Sequence, residues 1–339
     1  MKSRPPSRTD AVSRRAALAV AAVAGGFIFS TILGSTHVLA AEFPSQRVRF
    51  IVPVAAGGST DMQARTLAQH LGEIWKQPVV VENHPGAGST IGGNLVAKAP
   101  ADGYTLLLGG DTLVINEALG RKLPFDLRKD FASVTQTIAA AQILVIRPDL
   151  PAKTLREFLE LARTTKGGLN LATPGSGSPG HLATELLQAR TGVKFNLAHY
   201  KGGGPATVDV LGGHVDGVFI TLPAVITHVQ NGTLRPLAVS TAKRAGAVPD
   251  VPTVEESGIA NFQITSWQGV LAPAGTPKEV VKKLRDGFVT ALAKPEVRDL
   301  LTGQGFDVVG NTPEELAALI KDTIPRWKEI VAVAGNIEQ

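Results

Sequence analysis

The feature that most limits the fold is a regular alternation of two periodicities. Short apolar, β-rich runs are expected as strands at Val48–Pro53, Val79–Glu82, Tyr104–Leu108, Gln142–Ile146, Leu169–Thr173, Phe195–His199, Gly217–Thr221, Leu237–Ser240, Gln263–Leu271 and Phe306–Val309. Helical spacing of apolar residues fills most intervals, as in "TLREFLELARTT" and "PKEVVKKLRDGFVTALA". Thr154, Thr276 and Thr312 each precede a Glu by three residues, the pattern of a capping box, and Pro277 and Pro313 stand where a first helical residue is expected. Strands alternating with helices dictate mainly parallel sheets covered on both faces. Ten strands are too many for one ordinary sheet, so the chain reads as two α/β lobes, residues 41–140 with 263–339 and residues 141–262. The crossovers fall near Ala139–Arg147 and Asn261–Ser266. Two such lobes facing each other present the carboxyl ends of their strands to a shared cleft.

Residues 1–40 read as an address. A basic start ending in Ser13-Arg14-Arg15 precedes an apolar run from Ala16 to Leu33, and small residues close the segment at "HVLA". That order predicts a secretory signal cleaved after Ala40 and a periplasmic mature chain, and the paired arginines admit the twin-arginine route beside the general one. The rival reading, a membrane anchor, is disfavoured by the glycines in the run, the polar Ser30-Thr31 pair and the cleavage-like end. Lys2, Arg4, Arg8, Arg14 and Arg15 against Asp10 carry +4 of the chain's net +5, which leaves +1 for the mature protein. The basic balance therefore gives no argument for nucleic acid. Cysteine is absent, which excludes disulfides and thiolate metal ligands. Removing 40 of 339 residues leaves enough chain for two lobes with real cores, expected as a monomer.

The stretch "IVPVAAGGSTDMQARTLAQHL" (51–71) joins a strand, a glycine turn and a helix start. The first N–H groups of a helix have no internal partner, so this arrangement cradles an anion. No Lys follows the glycines, as a nucleotide-phosphate loop would require. Other glycine-bearing polar turns follow strands at "ENHPGAGST" (82–90), "GGDT" (109–112), "TPGSGSPGH" (173–181) and "HYKGGGP" (199–205). Glycines let a backbone approach a ligand, and Ser and Thr add adaptable hydrogen bonds. Each loop alone is equally well read as a turn and a helix cap; their recurrence in both lobes favours one shared site.

Rival chemistries fare poorly. "GSGSPG" (175–180) satisfies the dinucleotide glycine pattern, but the next strand ends "LAHYKGGG" without the carboxylate a ribose needs. No nucleophile elbow and no zinc-protease motif occur, and the histidines lack metal-ligand spacing. His181 and His199 are placed where they meet in the cleft, with a helix-capping His181 and a strand-end His199 the favoured reading. Asp61 serves in part as a cap and dipole partner, and Trp267 as a hinge, a cleft wall or a half-buried aromatic. No cofactor is called for. An exported hydrolase or oxidoreductase using His181 or Asp111 stays as the enzyme alternative, and a binding protein feeding a sensory pathway as a third.

The segments "FIVPVAAGGSTDMQARTLAQHL", "VVVENHPGAGSTIGGNLVAKAPADGYTLLLG", "LNLATPGSGSPGHLATELL", "HYKGGGPATVDVLGGHVDGVF", "VPDVPTVEESG" and "SWQGVLAPAGTP" together resemble the Bug family, in order and across essentially the whole chain after residue 43. These are extracytoplasmic solute-binding receptors of tripartite tricarboxylate transporters. The resemblance implies a two-lobed Venus-flytrap fold of the type II periplasmic-binding class, a small organic acid as ligand, membrane permease subunits as partners and no catalysis. It places ligand contacts at Val54, Ala55, Gly57, Gly58, Ser59, Thr60 and Asp61 in the first loop, and at Thr173, Pro174, Gly175, Ser176, Ser178, Tyr200 and Gly202 in the opposing lobe. Asp111 and Thr112 stand where relatives usually carry uncharged small polar residues, and Thr221 follows Ile220 where many have an acidic or small polar one. If Asp111 faces the ligand, it repels a second carboxylate or pairs with an amino group.

Overall fold

The computed structural model describes the backbone of residues 43–57 and 59–334 and, Ser59 and Ala334 apart, their side chains. The expected signal segment, its cleavage at Ala40 and Gly58 lie outside those residues. Strands β1 (Val48–Val52), β2 (Val79–Asn83) and β3 (Thr105–Gly110) alternate with helices α1 (Ser59–Trp75), α2 (Thr90–Ala97) and α3 (Asp111–Ala118). A long strand β4 (Phe131–Ile146) follows, then α4 (Leu155–Thr164), β5 (Leu169–Thr173), α5 (Pro179–Thr191), β6 (Phe195–His199), α6 (Gly203–Leu211) and β7 (Gly217–Thr221). A short 3₁₀ turn (Leu222–Ala224), α7 (Ile226–Gln230) and β8 (Arg235–Val239) lead to β9 (Thr265–Pro273), α8 (Lys278–Ala293), α9 (Pro295–Gly303), β10 (Asp307–Val308) and α10 (Pro313–Ala334).

The strands form two sheet regions that share β4. The first has the order β2-β1-β3-β9-β4-β10, with β1 parallel to both neighbours and β9 running antiparallel between β3 and β4. The second is β8-β4-β7-β5-β6, in which β5 is parallel to β6 and β7 while β4 is antiparallel to β7 and β8. The hand-over lies within β4: Phe131 to Ala141 pair with β9, and Gln142 to Ile146 pair with β7.

Each strand expected from the sequence is present, but β4 begins eleven residues before the expected Gln142. Its first half, "FASVTQTIAAA", breaks the apolar run with Thr135, Gln136 and Thr137, all buried. Strand geometry there comes from tertiary partners. Thr135 Oγ1 donates to the Asn311 carbonyl (2.8 Å), the Gln136 amide donates to Asn311 Oδ1 (2.8 Å), and Thr137 Oγ1 donates to the Gln268 carbonyl (3.1 Å). Buried polar groups so paired cost little.

Helices cover both faces. Leu67 and Leu71 of α1 and Leu284 and Phe288 of α8 pack with Phe50, Leu106 and Leu108 of the first sheet. A second core runs through both sheets, joining Leu107 and Leu113 to Leu144, Phe219 and Leu171, and it includes Leu316, Ile320 and Trp327 of α10. Helix α10 thereby packs against both α3 and α5. The capping boxes at Thr154 with Glu157 and Thr312 with Glu315 form in both directions. The one expected at Thr276 does not: its hydroxyl donates instead to the Pro273 carbonyl (2.7 Å), and Pro277 is the cap of α8.

Gly180, in the first turn of α5, shows how closely that helix seats on the second sheet. A Cβ there would lie 2.1 Å from the Phe219 carbonyl oxygen of β7. Gly180→Ala should therefore destabilise by about 1–3 kcal/mol or more through overpacking, whereas Gly204→Ala, with nothing within 4 Å, should be neutral or slightly stabilising. Denaturant titration of both variants checks this; equal stability of the two would contradict the packing.

Candidate functional site

The pairing registers bring the carboxyl ends of the parallel strands of both sheets to one place. Gly110, the last residue of β3, pairs with Gln268 near the start of β9, and Thr221, the last of β7, pairs with Gln142 at the hand-over of β4. Loops after β1, β3, β5, β6 and β7 thus converge on the β4–β9 junction, as ligand loops do in open α/β sheets. Contact across the junction is direct: a Cβ on Gly177, in the loop after β5, would meet Leu119 Cδ1 at 2.9 Å and Arg121 Nη2 at 3.6 Å.

In the first loop, Asp61 is a staple. It is 3% exposed, and its Oδ2 accepts from the Gly57 amide and Arg65 Nε (2.9 Å each) while Oδ1 accepts from Asn83 Nδ2 (2.9 Å). The same Asn83 Nδ2 donates to the Val54 carbonyl (3.1 Å). Burial pushes the Asp61 carboxyl up, but Arg65, the Gly57 amide and Asn83 outweigh it and hold the group below its ordinary value. Gly57, at φ 88°, takes a left-handed turn that suits glycine. Val54 and Ala55 complete the turn, and the Ser59 side chain and Gly58 fall outside the described residues. Thr60 faces the junction: its Oγ1 accepts from Gln268 Nε2 (2.7 Å), which leaves its own hydroxyl hydrogen to donate.

The opposing loops are tied to each other. The Tyr200 amide donates to the Thr173 carbonyl and the Gly202 amide to the Pro174 carbonyl (3.0 Å each), extending the β5–β6 ladder. Gly175, at φ 138°, brings the turn against the Tyr200 carbonyl, 3.3 Å from where its Cβ would be. Ser176 is exposed on this turn. Several side chains named from the sequence are committed to the scaffold. Ser178 caps α5 by accepting from the His181 amide (3.2 Å), Thr173 Oγ1 lies 2.7 Å from His199 Nδ1, and the Tyr200 hydroxyl donates to Asp209. That last bond, with burial and the Asp209 charge, raises the Tyr200 pKa. His181 and His199 meet edge to face with ring centroids 4.7 Å apart. His181 Nδ1 accepts from the Gly177 amide (3.0 Å), so its proton sits on Nε2, facing Glu185 at 3.5 Å. The pair braces the loop.

At the junction itself, Asp111 opens α3 and is 7% exposed. The Ser266 hydroxyl and the amides of Thr112, Trp267 and Asp111 itself face its carboxyl. Ser266 Oγ in turn accepts from Gln142 Nε2 (2.7 Å), so one polar chain, Asp111–Ser266–Gln142, runs along the junction. Gln142, Ser266 and Gln268 were not singled out from the sequence; the signal was a run of polar residues, "TSWQ", opening an otherwise apolar strand. Two cavities, of about 520 and 150 Å³, are lined by α10 residues such as Arg326 and Ile330, and the smaller also borders Thr265 and Trp267 of β9.

A family model described as the tripartite tricarboxylate transporter family receptor, TctC, matches residues 63–335. The chain belongs to this family. It is similar to the protein BugT of Bordetella pertussis, 37% identical over 312 residues that cover 91% of this chain and 96% of that one. An R. palustris protein solved with adipate superposes with a TM-score of 0.80 at 33% identity, over 87% of this chain and 99% of that one. The periplasmic binding protein BugD gives 0.78 at 34% identity, over 88% and 100%. The two-lobed α/β periplasmic-binding fold is thus the fold of this TctC-family chain, and its structural neighbours are binding proteins.

Burial pushes the Asp111 carboxyl of this TctC-family chain up to about 6 despite the hydrogen bonds from Ser266 and the amides. A carboxyl whose pKa rises on folding holds its proton more tightly in the folded state. Its ionisation therefore costs stability progressively as pH climbs from the ordinary 3.8 to about 6, and the whole cost is present above that window. Asp111→Asn should stabilise the free protein at pH 7.5 by up to about 3 kcal/mol, at 1.36 kcal/mol per pH unit, with the difference vanishing near pH 4. Denaturant titrations at both pH values check this, and a variant less stable than wild type at pH 7.5 would contradict it.

Proposed function

We propose that this chain is a periplasmic receptor that captures a small organic carboxylate at the β4–β9 junction, without turnover, and hands it to the membrane subunits of a tripartite tricarboxylate-type transporter. The observation that carries the reading is convergence: loops from two sheets meet at a shared strand where Thr60 has a hydroxyl hydrogen to donate. The amino end of α1 lies beside that hydroxyl and adds unpaired N–H donors. The adipate in a relative that shares 33% of its residues agrees with such an anion site. In this reading residues 41–140 with 263–339 form one lobe, residues 141–262 the other, and β4 and β9 carry the hinge. The contacts proposed are the first loop through Thr60, Asp111 and Thr112, Thr221, and the backbone of 173–178 and 200–202, with Asp61, Ser178 and Tyr200 holding those loops in place.

Native mass spectrometry of the purified protein identifies the ligand, and calorimetry then reads its affinity. Thr60→Ala should weaken binding by about tenfold or somewhat more, since a hydrogen bond to a charged group is worth about 1.5–3 kcal/mol. X-ray scattering should show a smaller radius of gyration on saturation as the lobes close. Unchanged affinity in a folded Thr60→Ala variant would move the carboxylate off this loop, and an unchanged radius with proven binding would argue against closure.

A further inference from the structure

Among the described residues, Asp111 Oδ2 and Gln268 Oε1 at the junction are buried and lack a hydrogen-bond partner, as does Gln63 Oε1 on α1. The first two belong to one neighbourhood. Gly110, which precedes Asp111, pairs with Gln268, and Ser266, which faces the Asp111 carboxyl, lies two residues from Gln268 on the same face of β9. Gln268 Nε2 donates to Thr60 Oγ1, which leaves the amide oxygen as the unused atom. Gln142 Nε2 donates to Ser266 Oγ, so the Ser266 hydrogen is the one turned to Asp111. Every donor recorded on Asp111 is neutral, and together the serine hydroxyl and backbone amides are arranged to receive a carboxylate. Among the described residues no cation faces the group.

The neighbourhood has two chemical ends. Thr60 and the amino end of α1 supply donors, which an anion satisfies, and Asp111 Oδ2 with Gln268 Oε1 supply acceptors, which an N–H cation satisfies. A second carboxylate laid against Asp111 would meet a like charge in a buried site and leave both orphan acceptors unpaired. We propose that this cleft selects a carboxylate that also carries an N–H cation, with the carboxylate on the first loop and the cation on Asp111 and Gln268. This rests on the receptor reading above and narrows its ligand class.

The test uses the ω-amino acids from β-alanine to 6-aminohexanoate, each against the dicarboxylate of the same chain length, and aspartate against malate. Thermal shift finds binders among these probes and calorimetry ranks them. At pH 7.5 at least one amino carboxylate should bind tenfold or more tightly than its matched acid. Asp111→Asn, shown folded by denaturation, should lose that preference. Affinity of the wild type for the amino carboxylate should fall tenfold or more between pH 7.5 and pH 5, because Asp111, at about 6, takes up a proton in between. That arm decides the matter even if the variant does not fold. Dicarboxylate binding without amino carboxylate binding would overturn this inference and leave the receptor reading intact. A preference unchanged in the folded Asp111→Asn variant, or affinity that rises toward pH 5, would overturn it too, the latter by pointing to a protonated carboxyl donating to a ligand anion. Binding by neither class would count against both readings.

Discussion

Strand β4 serves two sheets, and the position of each loop proposed as part of the ligand site follows from that. Its 16 residues pair with β9 as far as Ala141 and with β7 from Gln142 onward, so the hydrogen-bond ladder passes from one lobe to the other without a break in the chain. Because β3 ends against the start of β9 and β7 ends against the hand-over point, the carboxyl ends of the parallel strands on both sides are fixed to the same level. Helices α1, α3, α5 and α6 are entered from those ends. Helix α10, packed on both α3 and α5, spans the two lobes behind this junction.

A junction of this kind is buried, yet it is rich in polar atoms. Ser240 accepts from the Gln142 amide (3.0 Å) and donates to the Ile264 carbonyl, where the returning chain rejoins β4. Thr137 bridges Gln63 (3.0 Å) and the Gln268 carbonyl. These bonds pair the hydroxyls of Ser240 and Thr137, as buried polar atoms require. Among the described residues Asp111 Oδ2 and Gln268 Oε1 are not satisfied, nor are Gln63 Oε1 and Trp267 Nε1. Leaving a buried acceptor unpaired costs about 1–3 kcal/mol, a cost that a ligand supplying the missing donor removes at the moment of binding. Stability lost in the free protein then becomes affinity in the bound one.

The sequence made the frame of this molecule readable and left its connections obscure. The apolar runs of β1, β3, β5 and β6 are followed by glycine turns, so both the strands and the loops after them could be placed from local pattern alone. The first half of β4 could not, because "VTQTI" follows no apolar alternation and becomes a strand by pairing with β9 and β10, more than a hundred residues away. The same holds for the site. Asp61, Ser178 and Tyr200 were noticed as polar residues in the right loops, but which way a side chain turns depends on partners such as Asn83, the His181 amide and Asp209. Gln142, Ser266 and Gln268 carry no motif, and their meeting is a product of strand register. Asp111 was visible from the sequence as a charge at a strand end, whereas its unpartnered oxygen is a property of the fold.

The place where the ligand sits is the decisive observable. Hydrogen–deuterium exchange of the purified protein, with and without a ligand that raises its melting temperature, reads this directly. Binding at the junction predicts slower exchange in residues 55–61, 109–113, 173–178 and 200–203 together, since the closed cleft would withdraw amides of both lobes from water. Protection confined to the groove around Arg190, Glu255 and Arg326 on α10, with these loops unchanged, would contradict it.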